Sequence, residues 1–218
     1  MSRMPLLYVA LGDSLTVGTG SLFAPGFVEI YKNRMEQVFN YPIQLEKFAE
    51  NGLRIPELKS MVESPMVLDA ITQADIITIT IGGNDLRTVW KNFERNPSPH
   101  VLGDSLEGIL QDIWEIVDRV DQRKVDSHKP YAIRLMTLYN PYPNPIAARA
   151  LEYFNHQLLS FTSSTIKVAD VYTLFLGREQ DLLFLDGFHP NKHGYRIIAE
   201  AFHNTGYDEF EPLVKSHI

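Results

Sequence analysis

Short apolar runs alternate along this chain with segments whose apolar residues recur every three to four positions. Five runs favour buried strands: Leu6–Leu11, Ile43–Ala49, Asp75–Ile81, Tyr131–Leu138 and Ile166–Val171. The run Asp75–Ile81 (DIITITI) is the clearest, because it is rich in β-branched residues and is followed by Gly82-Gly83. The pattern therefore predicts five strands.

Helical spacing separates these runs. Five segments are predicted as helices: Phe27–Phe39, Ile55–Val62, a long stretch through Leu106–Val120, Ala147–Phe161 and His193–Phe202. In the long stretch, apolar residues fall at positions i, i+3, i+4 and i+7, which is typical of an amphipathic helix. The alternation of strands with helices predicts an α/β fold, with a parallel sheet covered by helices on both faces.

Length and composition favour one soluble domain. The chain has 218 residues, and no repeat, low-complexity tract or linker divides residues 1–218. Its net charge of −7 and its lack of a dense Lys/Arg cluster argue against a nucleic-acid partner. There is no cysteine, which excludes disulfides, thiolate catalysis and Cys-ligated metal sites.

The first apolar run could be mistaken for a targeting segment. Met4–Leu11 follows Arg3, but it is short, lacks an A-x-A cleavage pattern and leads directly into Gly12-Asp13-Ser14. No run approaches the roughly 18 apolar residues of a membrane span. We therefore expect a soluble protein without a signal peptide or an integral membrane segment, cytoplasmic by default. The sequence does not indicate whether the protein is a monomer or an oligomer.

Four motifs follow predicted strands. They are Gly12-Asp13-Ser14-Leu15 after the first strand, Asn51-Gly52 after the second, Gly82-Gly83-Asn84-Asp85 after the third and Asp186-x-x-His189 after the fifth. In an open parallel sheet, ligands bind outside the carboxyl ends of the strands. The motifs are therefore expected to converge on one site.

The residue types in these motifs favour nucleophilic catalysis. A serine hydroxyl needs a base to take its proton, and the base needs a third group to orient it. Asp186 and His189 on one turn could form a carboxylate–Nδ1 hydrogen bond, which leaves Nε2 to face Ser14. Pro190 restricts the backbone of His189 and so the direction of the imidazole.

Acyl transfer also requires hydrogen-bond donors for a developing oxyanion. The expected donors are the Ser14 amide, the Gly52 amide and the Asn84 side chain. Each residue also has a structural interpretation: a serine after a strand is often a helix cap, and asparagine is common in turns. Asp13 is expected to form the turn rather than to serve as the catalytic acid.

With these motifs in order, the chain resembles the SGNH hydrolases, also called the GDSL esterase/lipase family. The four residues that name the family match Ser14, Gly52, Asn84 and His189. The resemblance implies a flavodoxin-like three-layer α/β/α sandwich with five parallel strands. It also implies a Ser14–His189–Asp186 triad, an oxyanion hole from Ser14, Gly52 and Asn84, and no metal or organic cofactor.

The expected substrate is a small-molecule ester, with acyl esters of lipid or lysophospholipid type favoured. Apolar and aromatic residues near the motifs favour this substrate class: Leu22, Phe23, Phe27, Tyr139, Tyr142, Phe184 and Phe188. Substrate choice is expected to lie in the loops around Phe23, Tyr142 and Phe184. Residues 8–16 and 24–28 also resemble small lipase/acylhydrolases of spore-forming bacteria, which implies association with spores.

Other functions remain open at this point. A thioesterase or carbohydrate acetylesterase of the same family would use the same motifs. A flavodoxin-like phosphate- or flavin-binding module would explain the Ser14–Gly20 loop, but it gives no role to Asn84, Asp186 or His189. A catalytically silent lipid- or glycan-binding relative would leave the complete set of catalytic groups without a purpose.

Overall fold

One five-stranded sheet organises the protein in this computed structural model, which describes residues 5–125, 129–142 and 144–210. The strands are β1 (Leu6–Gly12), β2 (Ile43–Ala49), β3 (Ile76–Thr80), β4 (Ala132–Met136) and β5 (Ile166–Ala169). They lie in the order β2-β1-β3-β4-β5, and every pairing is parallel. This is the flavodoxin-like order, whose switch point lies between β1 and β3. The predicted parallel sheet is confirmed.

Ten helices connect the strands within the described ranges. They are α1 (Ser14–Val17), α2 (Phe27–Phe39), α3 (Ile55–Val62), α4 (Pro65–Gln73), α5 (Gly83–Arg95), α6 (Pro99–Val125), α7 (Pro145–Leu159), α8 (Val171–Phe175), α9 (Glu179–Leu182) and α10 (Lys192–His203). A 3₁₀ turn follows at Asp208–Phe210. The bounds predicted for α2 and α3 are correct, whereas α6 extends beyond the predicted stretch at both ends.

Two hydrophobic cores form, one on each face of the sheet. Val9 and Leu11 of β1 pack into the first core with residues of α3, α4, α6 and α7. Tyr8 and Ala10 point the other way and pack into the second core with residues of α2, α8 and α10. Because successive side chains of a strand face opposite sides, a strand that is apolar at every position must be covered on both faces. The three-layer arrangement is confirmed.

A buried ion pair ties the end of the described chain to the sheet. Arg134 of β4 is fully buried, and its guanidinium donates to a Glu209 carboxylate oxygen at 2.9 Å and to the Gly206 carbonyl at 3.0 Å. The Glu209 side chain is only 6% exposed. Since a buried charge needs a partner, this contact holds the 3₁₀ turn against the sheet.

Among the described residues, the helices are too short or too polar to cross a lipid bilayer.

Candidate active site

Ser14 is the first residue of α1, directly beyond the carboxyl end of β1. Asp13 caps this short helix, since its Oδ1 accepts a hydrogen bond from the Leu15 amide at 3.0 Å. Gly12 has a φ of +146°, and a Cβ atom there would lie 2.3 Å from the carbonyl oxygen of Thr80. Only glycine fits this close approach. The turn therefore presents the Ser14 hydroxyl at the edge of the sheet.

Asp13 forms the turn, as expected, and it is also a buried acid beside Ser14. The Thr80 hydroxyl donates to its Oδ1 at 2.9 Å, and the Thr16 hydroxyl lies 2.8 Å from that of Thr80. Burial raises the pKa of Asp13 from 3.8 to about 6, although the hydrogen bonds from Leu15 and Thr80 oppose the increase. These contacts join α1 to the ends of both β1 and β3.

His189 and Asp186 lie on a short loop before α10. One Asp186 oxygen accepts the backbone amides of Phe188 and His189 at 2.9 and 3.0 Å. The other lies 2.6 Å from His189 Nδ1, and His189 Nε2 lies 3.0 Å from Ser14 Oγ. The structure thus brings Ser14, His189 and Asp186 into one continuous hydrogen-bonded chain.

The surrounding backbone holds this loop in place. The Phe184 amide donates to the His189 carbonyl at 2.7 Å, and Asn191 caps α10. Burial acts to raise the pKa of Asp186, but the hydrogen bonds from His189 and from the amides of Phe188 and His189 outweigh it and hold that pKa below its usual value of 3.8. Asp186 is therefore held as a carboxylate facing the imidazole.

Asn84 and Gly52 lie on two adjacent segments that contact each other. Asn84 is in the first turn of α5, and its side-chain amide donates to the Leu53 carbonyl at 2.9 Å. The next residue, Asp85, accepts the Ile55 amide at 3.2 Å and pairs with Arg54 at the same distance. The start of α5 therefore holds the loop that contains Gly52.

The three expected oxyanion donors differ in how closely the structure brings them together. Ser14 and Asn84 line the same cleft, whereas Gly52 lies on an exposed turn outside the residues that line it. Gly52 has a φ of +79°, which favours glycine. Within the described ranges, the backbone amides of Ser14 and Gly52 donate to no protein acceptor. Both amides are therefore available to a ligand.

A largely apolar cleft opens beside Ser14. Its empty volume, including the open mouth, is about 790 Å³. It runs between α5, α6 and α7, and its walls include Leu86, Val89, Trp90, Leu102, Leu106, Leu138, Ala147, Ala150 and Leu151. A mostly hydrophobic lining with a few polar side chains is typical of small-molecule sites.

The apolar and aromatic residues expected near the substrate are divided between the cleft, the core and the surface. Tyr139, Tyr142 and Phe188 line the cleft. Phe27 instead lies in the core, Leu22 and Phe23 are exposed to solvent, and Phe184 is outside the cleft lining. The loops around Phe23 and Phe184 therefore do not form its walls.

Sequence reasoning missed the walls that α5 contributes. Leu86, Val89, Trp90 and Phe93 recur at helical spacing directly after the third motif, and this stripe was a usable signal. No cluster of three or more potential metal ligands occurs in the part of the chain that the structure describes.

Comparison with known proteins agrees with this geometry. The profile of the family described as GDSL-like Lipase/Acylhydrolase matches residues 8–202. The chain belongs to this family. The family assignment makes it a carboxylic ester hydrolase, and the resemblance inferred from the four motifs is confirmed.

Three relatives of this GDSL hydrolase are informative. The spore germination lipase LipC of Bacillus licheniformis is 37% identical over 211 residues, which cover 95% of this chain and all of the relative. The crystal structure of the lipase Lip_vut3, from a goat rumen metagenome, has a TM-score of 0.88 at 37% identity and covers 93% of this chain and 98% of its own. A variant of Axe2, an acetyl xylan esterase from Geobacillus stearothermophilus, has a TM-score of 0.67 at 20% identity, covering 91% and 93%, and shares the fold.

Proposed function

We propose that this GDSL hydrolase cleaves acyl esters of lipid type through an acyl-enzyme formed on Ser14. His189 is the general base and then the general acid, and Asp186 orients it. The observation that carries the proposal is the hydrogen-bonded chain from Asp186 through His189 to Ser14, which ends beside a large apolar cleft.

In the first half of the reaction, Ser14 Oγ attacks the ester carbonyl carbon while its proton passes to His189 Nε2. The Asp186 carboxylate accepts a hydrogen bond from Nδ1–H and stabilises the imidazolium. The bond to the alcohol oxygen then breaks, and His189 gives its proton to the departing alcohol. This sequence leaves the acyl group on Ser14.

In the second half, water attacks the acyl-enzyme and gives one proton to His189. The bond to Ser14 Oγ breaks, that oxygen takes the proton back, and the carboxylic acid leaves. The oxyanion formed in each half is assigned to the amides of Ser14 and Gly52 and to the Asn84 side chain. Two observations support this assignment: neither backbone amide donates to a protein acceptor in the described ranges, and the Gly52 loop contacts the start of α5.

The apolar cleft favours substrates with a longer acyl chain over acetyl esters. Its walls are lined by apolar side chains of α5, α6 and α7, and each methylene buried against them contributes about 0.8 kcal/mol. The two relatives at 37% identity are both named as lipases, which favours the same class. The name of LipC also supports a spore-associated role, which fractionation of sporulating cells would test.

A hydrolysis panel tests the activity. We expect the purified protein to hydrolyse p-nitrophenyl esters, with kcat/KM rising from the acetyl ester to medium-chain acyl esters. Oleoyl-CoA, a lysophospholipid and an acetylated xylo-oligosaccharide complete the panel, so that thioesterase and acetylesterase activities are measured beside it. Greater kcat/KM for acetyl than for octanoyl esters would contradict the assignment to lipid-type substrates.

Variants test the assigned roles. Ser14→Ala and His189→Ala should each lower kcat by about 10⁴-fold or more. His193→Ala is the matched control, because His193 is exposed on α10, four residues after His189 in sequence, and should keep wild-type turnover. A fluorophosphonate should label Ser14 and inactivate the enzyme. Wild-type turnover by Ser14→Ala would rule out the mechanism.

A further inference from the structure

Arg87 places a positive charge at the mouth of the apolar cleft. It follows Asn84 by one turn of α5, and it is an exposed member of the same lining as Ser14. Its guanidinium carbon lies 4.8 Å from the centre of the Phe188 ring. Tyr142 is also nearby: burial raises the pKa of this phenol, and the charge and hydrogen bond of Arg87 oppose that effect. The guanidinium therefore lies close to two aromatic residues that line the cleft.

Arg87 has no acidic partner in residues 5–125, 129–142 and 144–210, where the ion pairs involve other side chains. Its contact with Phe188 is a cation–π interaction, which is weak at an exposed site and uses the face of the guanidinium rather than its in-plane N–H donors. A hydrogen bond to the Tyr142 phenol engages part of that donor set and leaves the remaining N–H groups for a ligand. The other charged residue in the lining is Asp13, whose carboxylate already accepts from Leu15 and Thr80. Available donors and an uncompensated positive charge thus coincide at the cleft mouth.

We propose that Arg87 is a specificity-determining residue that binds an anionic group, phosphate or carboxylate, on the alcohol side of the ester substrate. This assignment rests on the proposed function, in which His189 protonates the departing alcohol. Phe188 directly precedes His189 and contacts Arg87, which places the guanidinium beside the loop that carries the base. Since His189 must reach the departing alcohol oxygen, the anion is assigned to the alcohol part of the substrate. The planar donor set of arginine matches the oxygens of either anion.

Binding of non-hydrolysable ethers distinguishes recognition of a phosphate from recognition of a carboxylate. The ligands are 1-O-hexylglycerol, its 3-phosphate and the carboxylate 3-hexyloxypropanoate, with inorganic phosphate alone as a fourth arm. We expect the wild type to bind at least one anionic ether about 10-fold more tightly than the neutral ether, as suits a charge-assisted contact. The preference should weaken as the salt concentration rises. Whichever anion is preferred identifies the group that Arg87 recognises.

Variants distinguish recognition of charge from support of the cleft walls. Arg87→Gln should lower the anionic-to-neutral affinity ratio by about 10-fold, and Arg87→Lys should retain part of it. Arg95→Gln is the matched control: it makes the same charge change two turns along α5, outside the cleft lining, and should keep the wild-type ratio.

Three results would overturn the assignment of Arg87. One is an anionic-to-neutral affinity ratio that does not change in Arg87→Gln. Another is an equal loss of affinity for the neutral and the anionic ethers, which would indicate a structural role. The third is binding of inorganic phosphate as tight as that of the phosphorylated ether, since it would show no link to an ester. Hydrolysis of 1-hexanoylglycerol by the wild type is measured separately. Its absence, with the binding ratio intact, would refute the proposed function and leave the anion site supported.

Discussion

Replacing Asp13 by Asn should remove a pH-dependent loss of stability from the folded protein. Asp13 is only 3% exposed, and burial raises its pKa from 3.8 to about 6 against the opposing hydrogen bonds from Leu15 and Thr80. Because the folded pKa lies above the unfolded value, the folded state holds this proton more tightly. The stability that protonated Asp13 contributes is therefore complete below about pH 4, and it is lost as the pH rises through about 6.

The size of the effect follows from these two pKa values. The interval from 3.8 to about 6 corresponds to about 3 kcal/mol at about 1.36 kcal/mol for each pKa unit. Asparagine has nearly the same shape and keeps an acceptor oxygen for the Leu15 amide and the Thr80 hydroxyl, but it does not ionise. The free energy of unfolding of Asp13→Asn, relative to wild type, should therefore rise by about 2.4 kcal/mol from pH 4 to pH 7.5, because the first part of the effect already occurs below pH 4.

Urea unfolding followed by circular dichroism at pH 4, 5, 6 and 7.5 would measure this difference. Other carboxyl groups titrate in both proteins, so only the difference between variant and wild type reports on Asp13. Asp69→Asn serves as the control, because it makes the same chemical change at an exposed position on α4, away from the site. If the Asp13→Asn difference does not vary with pH, Asp13 does not have a raised pKa. A difference that falls with pH would mean that the protein stabilises the carboxylate.

Four further substitutions test the site and its support. Asn84→Ala should lower kcat for p-nitrophenyl butyrate by about 10²–10³-fold if the side chain stabilises the oxyanion, and an unchanged kcat would remove it from the hole. Asp186→Asn should lower kcat on the same ester by about 10⁴-fold while the unfolding midpoint in urea changes little. Gly12→Ala should lower the free energy of unfolding by about 3 kcal/mol or more, because the added Cβ meets the Thr80 carbonyl; wild-type stability would contradict the packing. Glu209→Gln should cost about 3–5 kcal/mol in the same urea assay by leaving the buried Arg134 charge unpaired, and a cost under 1 kcal/mol would show that water reaches the pair.

The strands and five of the helices, α2, α3, α6, α7 and α10, could be predicted because their apolar spacing follows directly from which faces are buried; α4 and α5, of nine and 13 residues, were not predicted. The bounds of α2 and α3 were correct for this reason. In contrast, α1, α8 and α9 have only four or five residues each, too few for a periodic pattern. Their formation depends on caps and tertiary contacts, such as the Asp13 side chain at the start of α1.

The residues of the proposed triad could be predicted to lie close together because parallel strands bring their carboxyl ends to one edge of the sheet. Ser14 directly follows β1, whereas Asp186 and His189 come later, after α8 and α9. Ser14 and His189 are 175 residues apart in sequence, yet a hydrogen bond of 3.0 Å joins them. The Arg134–Glu209 pair had no comparable signal. Both residues are charged, and nothing in the local sequence indicates that either is buried.

The apolar stripe of α5 could have been found in the sequence, but the cleft itself could not be predicted, because the same helical pattern arises whether a residue faces a core or a cavity. Trp90, Leu106 and Leu151 occupy apolar helical positions, and such positions indicate burial whether they face a core or a cavity. Whether a gap remains between α5, α6 and α7 depends on how three separate helices pack. That packing is a property of the whole fold and not of any one segment.

The motif residues proposed for the reaction and the cleft residues proposed for substrate preference lie mostly on different elements. Only α5 carries residues of both kinds. Its first turn carries Asn84, which contacts the loop of Gly52, and its next turns carry Arg87 and Trp90 along the cleft. A helix moves as a rigid unit, so a change in cleft packing that shifts α5 also shifts the proposed oxyanion donor. Changes on α6 and α7 have no such direct connection, because those helices supply apolar walls and none of the four motifs. Substrate preference can therefore change on α6 and α7 with less disturbance of the chemistry than on α5.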